Sequence, residues 1–260
     1  RSTLFPYTTL FRSPGYALAG QVVAVGGGVD GLRPGDAVAC AGEGWASHAE
    51  IVWVPQRLVA RVPGGLDAES AAFGTLGAIA LHGVRQTGAV LGETVAVLGL
   101  GLIGQLAAQL LRAAGVQVIG VDVAAAAVGR ARALGLSNAW LRSDPVDSLV
   151  LSATAGLGVD AVLITAATSE HDPVELAGRL CRDRGRVVIL GAVRADLPRE
   201  TYYGKELDVR MSRSYGPGRY DAGYEVDGHD YPVGYVRWTE ERNLKAFLEL
   251  AGSGARRLGD

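Results

Sequence analysis

Three glycines lie at the point where an apolar segment passes into a helical one, in the sequence VAVLGLGLIGQ. Gly99, Gly101 and Gly104 have the spacing G-x-G-x-x-G. At a strand-to-helix junction the first glycine permits a tight turn, the second lets the backbone approach a pyrophosphate, and the third lets helix and sheet pack closely. The helix that follows offers unpaired N–H groups and a positive dipole potential to phosphates. The pattern therefore predicts a dinucleotide-binding loop.

An acidic residue follows this loop at the end of the next apolar segment. VQVIGVD ends at Asp122, near the distance of about 20 residues at which a carboxylate accepts hydrogen bonds from an adenosine ribose. The next residues, Val123 and Ala124, include no arginine that would neutralise a 2′-phosphate, so we expect NAD rather than NADP. The alternative is that the glycines serve only packing and Asp122 caps a helix. The predicted cofactor contacts are Gly99, Leu100, Gly101, Leu102, Ile103, Gly104, Asp122, Ala166, Gly191 and Ala192.

From Thr94 onward, short strands alternate with helical segments. The strands TVAVLG, VQVIGVD, DAVLITA and RVVIL lack polar alternation, and the helical segments are LIGQLAAQLLRAAG, AAAAVGRARALG and PVELAGRLCRD. Strands buried on both faces and joined by helices predict an α/β fold with a doubly wound parallel sheet. ELDVRMSRSY is expected to add a strand, and an amphipathic helix is expected from Thr239 to about Leu250.

Before Thr94 the sequence favours a different architecture. Residues 20–62 contain short apolar runs separated by glycine turns, which predict a small β-barrel or sandwich. Asp67 is a candidate N-cap, and the apolar stretch from Ala71 to Val84 is predicted to be a helix.

Charge and cysteine content narrow the classes of partner. Lys and Arg number 25 against 27 Asp and Glu, so general attraction to nucleic acid or an anionic membrane is not expected. A small molecule is the expected partner. Cys40 and Cys181 are too few for a disulfide framework and lack zinc-site spacing, which favours a reducing cytoplasm. The sequence contains no recognisable signal peptide or membrane-spanning segment.

Neither end of the sequence is expected to be a natural terminus. Thr3 to Ser13 resembles the conceptual translation of a sequencing adapter, so we exclude residues 1–13 from fold reasoning, although an ordinary strand is the alternative. No initiator methionine is present and Met211 is the only Met, so the chain is expected to be a fragment. We expect a truncation at the C-terminal end as well.

Several motifs together resemble the medium-chain dehydrogenase/reductases. GLRPGDAV, HAEIVWVP, AAFGTLGAIALHGV and the glycine pattern with its downstream Asp occur in the family's order. The resemblance implies a GroES-like substrate domain joined to a Rossmann domain. We therefore expect an artefact at 1–13, an incomplete GroES-like β-barrel at 14–75, an NAD-binding Rossmann domain at 76–215, and an aromatic-rich loop and helix returning toward the substrate domain at 216–260.

A closer resemblance is to bi-domain oxidoreductases. It rests on GYALAGQVVAVG, LGAIALHGVRQ, LITAATSEHDPVELAG, SRSYGPGRYD and DYPVGYVRWTEERN. In that subgroup this module precedes a covalently linked domain of the glucose-fructose-oxidoreductase and inositol-dehydrogenase type. The resemblance implies such a second domain in the full-length protein and leaves a homo-oligomer open.

The resemblance also indicates that the zinc ligands are lost. Zinc-dependent members have Gly-His-Glu where this chain has Gly15, Tyr16 and Ala17. They also have a cysteine ligand where this chain has Ala72, Phe73 or Gly74. Zinc-dependent members also have a structural lobe with four cysteines, and in its place this chain has only ACAGEGWASH. Because catalytic zinc needs three protein ligands, we expect no zinc and no metal site.

Hydride transfer still requires a group that manages the proton on the substrate oxygen. Tyr16 is the first candidate because it replaces the lost ligand, and His48 is the second because it matches an aromatic position of the family. Their alternatives are a barrel tyrosine and a strand histidine. His82 is expected to be structural, and the spacing of His171 and His229 assigns them no role.

These observations predict an NAD-dependent, zinc-independent oxidoreductase acting on an alcohol/carbonyl pair. The resemblance points to a sugar or polyol, which Tyr215, Arg219 and Tyr220 would contact, unless their loop is instead a docking surface for the second domain. The alternatives are a zinc-free quinone or enoyl reductase using NADPH, and a non-catalytic NAD-binding module serving the second domain.

Overall fold

The computed structural model describes residues 15–253. The predictions for residues 1–13 and for the C-terminal end lie outside this range. The strands are β1 (Ala17–Gln21), β2 (Ala37–Ala41), β3 (Val59–Arg61), β4 (Thr94–Leu98), β5 (Gln117–Asp122), β6 (Ala139–Leu141), β7 (Val159–Ile164), β8 (Cys181–Ile189) and β9 (Asp208–Met211). The helices are α1 (Ala68–Ala72), α2 (Gly74–Thr87), α3 (Leu102–Ala113), α4 (Ala125–Ala133), α5 (Val146–Ala153), α6 (Asp172–Leu180), α7 (Arg199–Gly204), α8 (Ala222–Glu225) and α9 (Glu240–Gly252).

The described residues form two compact units, which we call the sheet unit and the nucleotide unit. The sheet unit contains residues 15–78 and 215–253, and the nucleotide unit contains residues 79–214.

The nucleotide unit is built on a six-stranded parallel sheet in the order β6-β5-β4-β7-β8-β9. In this order the chain moves outward from β4 to β6 and then crosses back to β7, so the order reverses between β4 and β7. Val95, Ala96 and Val97 of β4 are fully buried, because helices cover both faces of a sheet of this kind. The predicted doubly wound α/β fold is confirmed. Ligands of such sheets bind outside the carboxyl ends of the strands at the reversal.

One predicted helix is shorter than expected. PVELAGRLCRD was predicted to be helical throughout, but α6 ends at Leu180 and Cys181 begins β8. A side chain distant in sequence stabilises the end of α6 at this point. Nζ of Lys205 donates hydrogen bonds to the carbonyls of Gly178 (3.0 Å), Arg179 (2.8 Å) and Cys181 (2.6 Å), which satisfies the end of the helix.

The described part of the predicted incomplete barrel is an antiparallel sheet of order β1-β2-β3. Val38, Cys40, Ala46 and Val59 form its buried core. Residues 22–36, which were expected to contribute strands, form an irregular segment with short turns instead. The N–H of Gly35 donates to the carbonyl of Val22 at 2.8 Å, which closes the segment into a loop.

The predicted helix from Ala71 to Val84 is in fact two helices separated at Phe73. The expected cap is confirmed, because the Asp67 carboxylate accepts a hydrogen bond from the N–H of Ser70 at 2.7 Å. The predicted C-terminal helix is α9, and its N-cap is Thr239. Within residues 15–253, none of these helices has the length and apolar content needed to cross a membrane.

Candidate functional site

The glycine loop joins β4 to α3 at the carboxyl edge of the parallel sheet. Gly99 has φ +98°, and a Cβ there would lie 2.6 Å from the backbone nitrogen of Ala166. A Cβ on Gly104 would lie 1.9 Å from the carbonyl oxygen of Gly99. By contrast, no described heavy atom beyond its chain neighbours lies within 4 Å of a Cβ position on Gly101. Packing therefore requires the first and third glycines, whereas the second faces open space.

Side chains from three elements hold the peptides of this loop. The N–H of Leu100 donates to Oδ2 of Asp122 at 2.5 Å, and Nε2 of Gln105 donates to the carbonyl of Leu100 at 3.0 Å. The hydroxyl of Thr165 donates to the carbonyl of Gly99 at 2.6 Å. Sequence reasoning missed Gln105 and Thr165. The one available signal was a polar residue beside an otherwise apolar stretch.

Asp122 ends β5 and is half-buried. Its Oδ1 accepts a hydrogen bond from the N–H of Ala124 at 2.7 Å, while Oδ2 binds the loop. The N-cap of α4 is Ala124, so Asp122 is not the capping residue that the alternative interpretation expected. Each carboxylate oxygen has two acceptor sites, so the group retains capacity for further donors such as hydroxyls.

The first turn of α3 begins beside Gly101. Gly101 is the N-cap, and among the described residues no side chain caps this helix end. The first N–H groups of a helix have no partner within the helix. Leu102 is half exposed and Ile103 partly so, which places the first turn of α3 at the surface. The helix end can therefore bind an anion.

The remaining predicted cofactor residues follow β7 and β8 at the same edge of the sheet. The N–H of Ala166 donates to the carbonyl of Leu98 at 3.0 Å, and the N–H of Gly191 donates to the carbonyl of Ile164 at 2.9 Å. A Cβ on Gly191 would lie 2.0 Å from the carbonyl oxygen of Ala166. Ala192 is exposed. The structure thus brings these residues to the strand ends beside the loop.

Tyr16 and His48 lie together in the sheet unit. The carbonyl of Tyr16 accepts a hydrogen bond from the N–H of Gly42 at 3.0 Å, and the side chain is 44% exposed. Gly15, with φ +109°, lies against the His48 ring: a Cβ there would be 2.5 Å from Cδ2 of His48. The imidazole is exposed and packs next to the residue that precedes Tyr16. The structure brings the two candidate catalytic residues into one neighbourhood.

The other histidines have separate environments. His82 is buried, and desolvation, assisted by the charge of Arg85, lowers its pKa to about 4, so the ring is neutral at physiological pH. His171 is the N-cap residue of α6, and its Nδ1 lies 3.5 Å from a carboxylate oxygen of Asp196. His229 is exposed in the segment before α9.

The described residues offer few side chains that could bind a metal ion. Across residues 15–253 no group of three or more His, Cys, Asp or Glu side chains could hold a metal ion. Cys40 and Cys181 form no disulfide, and burial raises the pKa of each thiol to about 12. Both thiols are therefore protonated at neutral pH and are poor metal ligands.

The aromatic segment that begins at Tyr215 differs from expectation. Tyr215 and Arg219 were predicted to contact substrate, but both are buried. Nη1 of Arg219 lies 2.7 Å from Oε1 of Glu225, a pairing that the guanidinium requires because an unpaired buried charge is costly. Tyr220 is 63% exposed, and its ring lies 4.0 Å from Cζ of Arg219. Only Tyr220 remains available to a ligand.

Comparison with known proteins identifies relatives along much of the chain. Residues 103–226 match the family model described as zinc-binding dehydrogenase. An alcohol dehydrogenase of Geobacillus stearothermophilus is 32% identical over 154 residues, covering 58% of this chain and 44% of the relative. Galactitol 1-phosphate 5-dehydrogenase of Escherichia coli (strain K12) is 25% identical over 210 residues, covering 70% of this chain and 60% of the relative.

A solved structure shares the fold. Alcohol dehydrogenase TADH from Thermus sp. ATN1 superposes with a TM-score of 0.73 at 23% identity, over 92% of this chain and 73% of that one. The chain spans about half the length of the curated relatives it matches, from 44% to 60% for the two named above. The chain is therefore similar to zinc-binding dehydrogenases over residues 103–226 and shares the fold of a solved alcohol dehydrogenase.

Proposed function

We propose that the protein is an NAD-dependent, zinc-independent oxidoreductase that interconverts an alcohol and a carbonyl compound. The observation that carries this proposal is the loop after β4. Packing fixes Gly99 and Gly104, while Gly101 faces open space at the uncapped start of α3. A dinucleotide pyrophosphate needs this combination, because its oxygens accept hydrogen bonds from N–H groups that it must approach closely.

The residues present fit such a cofactor, which supplies the hydride acceptor or donor when bound. The N–H groups of Leu102 and Ile103 would bind the pyrophosphate, and the Asp122 carboxylate would accept hydrogen bonds from the adenosine ribose. Ala166, Gly191 and Ala192 would line the further strand ends.

Asp122 is proposed to select NAD over NADP. A 2′-phosphate about 4 Å from its carboxylate would be repelled by about 4 kcal/mol at an effective dielectric of about 20, and a third of that is already about tenfold in affinity. We expect titration to show weaker NADPH than NADH binding, and Asp122→Asn to reduce this preference. Asn retains one acceptor, for the N–H of Leu100, and loses the acceptor for the N–H of Ala124, so the thermal midpoint of the variant is measured together with the two affinities. Equal affinities in the wild-type protein would refute the assignment.

The family description implies a zinc ion, but the described residues do not fit one. Catalytic zinc needs three protein ligands, and residues 15–253 contain no suitable cluster. The motif resemblance puts Tyr16 at the position of a histidine ligand in the zinc-dependent pattern. We therefore propose that turnover survives treatment with a chelator. Elemental analysis giving one tightly held zinc per chain would contradict this.

Proton transfer is proposed to involve Tyr16, with His48 beside it. The phenol can donate a hydrogen bond to the substrate oxygen, which stabilises the charge that develops there. It can give that oxygen a proton when the carbonyl is reduced and take one from it when the alcohol is oxidised. The exposed imidazole of His48 packs against Gly15 and could exchange that proton with water.

The substrate is proposed to be a sugar or polyol. Support comes from the resemblance to the bi-domain subgroup and from the galactitol 1-phosphate 5-dehydrogenase among the relatives. The direct test is a panel of polyols and sugars with NAD, followed by NADH absorbance. Turnover of quinones or enoyl compounds with NADPH would favour a reductase instead. NADH binding without any turnover would favour a non-catalytic module that serves a covalently linked second domain.

A further inference from the structure

Thr165 follows β7 directly and is bonded twice to the end of β4. Its N–H donates to the carbonyl of Leu98 at 2.8 Å. Its hydroxyl lies 2.6 Å from the carbonyl oxygen of Gly99 and 3.2 Å from that of Leu98. A hydroxyl has one proton to donate, so the shorter contact with Gly99 is the stronger one. The side chain thus reaches from one strand end to the first peptide of the glycine loop.

The Gly99 carbonyl and the Leu100 N–H belong to the same planar peptide group. Thr165 binds its oxygen and Asp122 binds its N–H, at 2.6 Å and 2.5 Å. This single peptide is therefore held at both ends by two side chains: Asp122, which ends β5, and Thr165, which directly follows β7.

The neighbouring helix leaves little room for another arrangement. A Cβ on Gly104 would lie 1.9 Å from the Gly99 oxygen and 2.9 Å from Oγ1 of Thr165. The third glycine of the pattern therefore makes room for this hydrogen bond. Rotation of the Gly99–Leu100 peptide would break both contacts and redirect the N–H groups that follow it.

We propose that Thr165 is a positioning residue for the dinucleotide, acting through the Gly99–Leu100 peptide. The inference rests on the proposed function. Because the same peptide also orients the Asp122 carboxylate, loss of the hydroxyl should weaken binding of the pyrophosphate and of the adenosine ribose together. The nicotinamide makes no contact with this peptide in the proposed arrangement, so ADP-ribose should be affected as strongly as NADH.

The test compares Thr165→Val, which keeps the branched shape, with Thr165→Ser, which keeps the hydroxyl. A matched control is Thr154→Val, since the Thr154 hydroxyl also donates to a backbone carbonyl, that of Val150 at 2.8 Å, at the end of α5. Dissociation constants for NADH and ADP-ribose are measured by fluorescence titration and calorimetry, and thermal midpoints are measured for every variant.

We expect Thr165→Val to raise both dissociation constants by about tenfold, the usual scale for one lost hydrogen bond. Thr165→Ser should restore both to within about twofold, and Thr154→Val should leave both unchanged even if it lowers the thermal midpoint. If wild-type protein binds NADH and Thr165→Val binds it equally well, the inference is wrong while the proposed function stands. If wild-type protein binds neither ligand, the proposed function fails and the inference with it.

Discussion

The glycine loop and the Tyr16–His48 neighbourhood are built in different ways. In the loop, backbone groups face the proposed ligand, and side chains from β5, from α3 and from the residue after β7 hold the peptides at 2.5–3.0 Å. In the sheet unit, the candidate groups are themselves side chains, and both are exposed. A site made of backbone can be inferred from where glycine is required. A site made of side chains depends on neighbours that the local pattern does not specify.

Gly104→Ala should have the largest effect. The added Cβ would meet the Gly99 carbonyl at 1.9 Å, and neither a strand end nor a helix start can move freely. We expect a loss of about 3 kcal/mol in the free energy of unfolding and loss of detectable NADH binding.

Gly129→Ala is the matched control for this variant. Gly129 lies in α4. Apart from its chain neighbours and the nearby backbone of its own helix, no described atom lies within 4 Å of a Cβ added there. That change should stabilise the protein by about 0.5–1 kcal/mol, since Ala favours helix more than Gly does. Similar unfolding curves for the two variants would show that the loop is not tightly packed.

Tyr16→Phe tests the other region. Removing only the hydroxyl should lower the rate of turnover by about 10²-fold, because general acid/base catalysis contributes on that scale, with little change in stability at an exposed position. Tyr235→Phe, at a 91% exposed tyrosine of the same unit, should leave the rate unchanged. A Tyr16→Phe rate within a few-fold of wild type would return Tyr16 to a structural role.

Acid should destabilise the nucleotide unit through His82. Burial lowers the pKa of His82 in the folded state to about 4, below its usual 6.5, so the unfolded chain binds a proton more readily between these values. The contribution of neutral His82 to the free energy of unfolding is therefore complete above pH 6.5, and it is lost as the pH falls toward 4. Between pH 7 and pH 5 we expect a loss of about 2 kcal/mol in urea denaturation, which His82→Leu should remove. An unchanged pH dependence in His82→Leu would mean that other groups cause the loss.

Gly101→Ala should have the smallest effect and the most selective one. Gly101 has φ −67°, which alanine adopts without strain, and the space around it is open. The thermal midpoint should not fall, whereas NADH affinity should drop about tenfold because the methyl group occupies the space proposed for the pyrophosphate. Unchanged affinity would place the cofactor elsewhere.

The same contrast explains how much the sequence could predict. Apolar strands without alternation predicted the parallel sheet, and the glycine spacing predicted the loop and the position of Asp122. The short β6 escaped notice because three residues carry no period. Lys205, which ends α6, and Thr165, which binds Gly99, act across distances in sequence that no local pattern records. Arg219 was misassigned because its buried partner, Glu225, could not be identified before the fold was known.

The most direct test of the central claim is a crystal structure of the protein with NADH. We predict phosphate oxygens within about 3 Å of the N–H groups of Leu102 and Ile103, and a ribose hydroxyl bound to the Asp122 carboxylate. The Gly99–Leu100 peptide should keep its contacts with Thr165 and Asp122. A cofactor bound away from the start of α3, or a loop free of ligand at saturating NADH, would contradict the account.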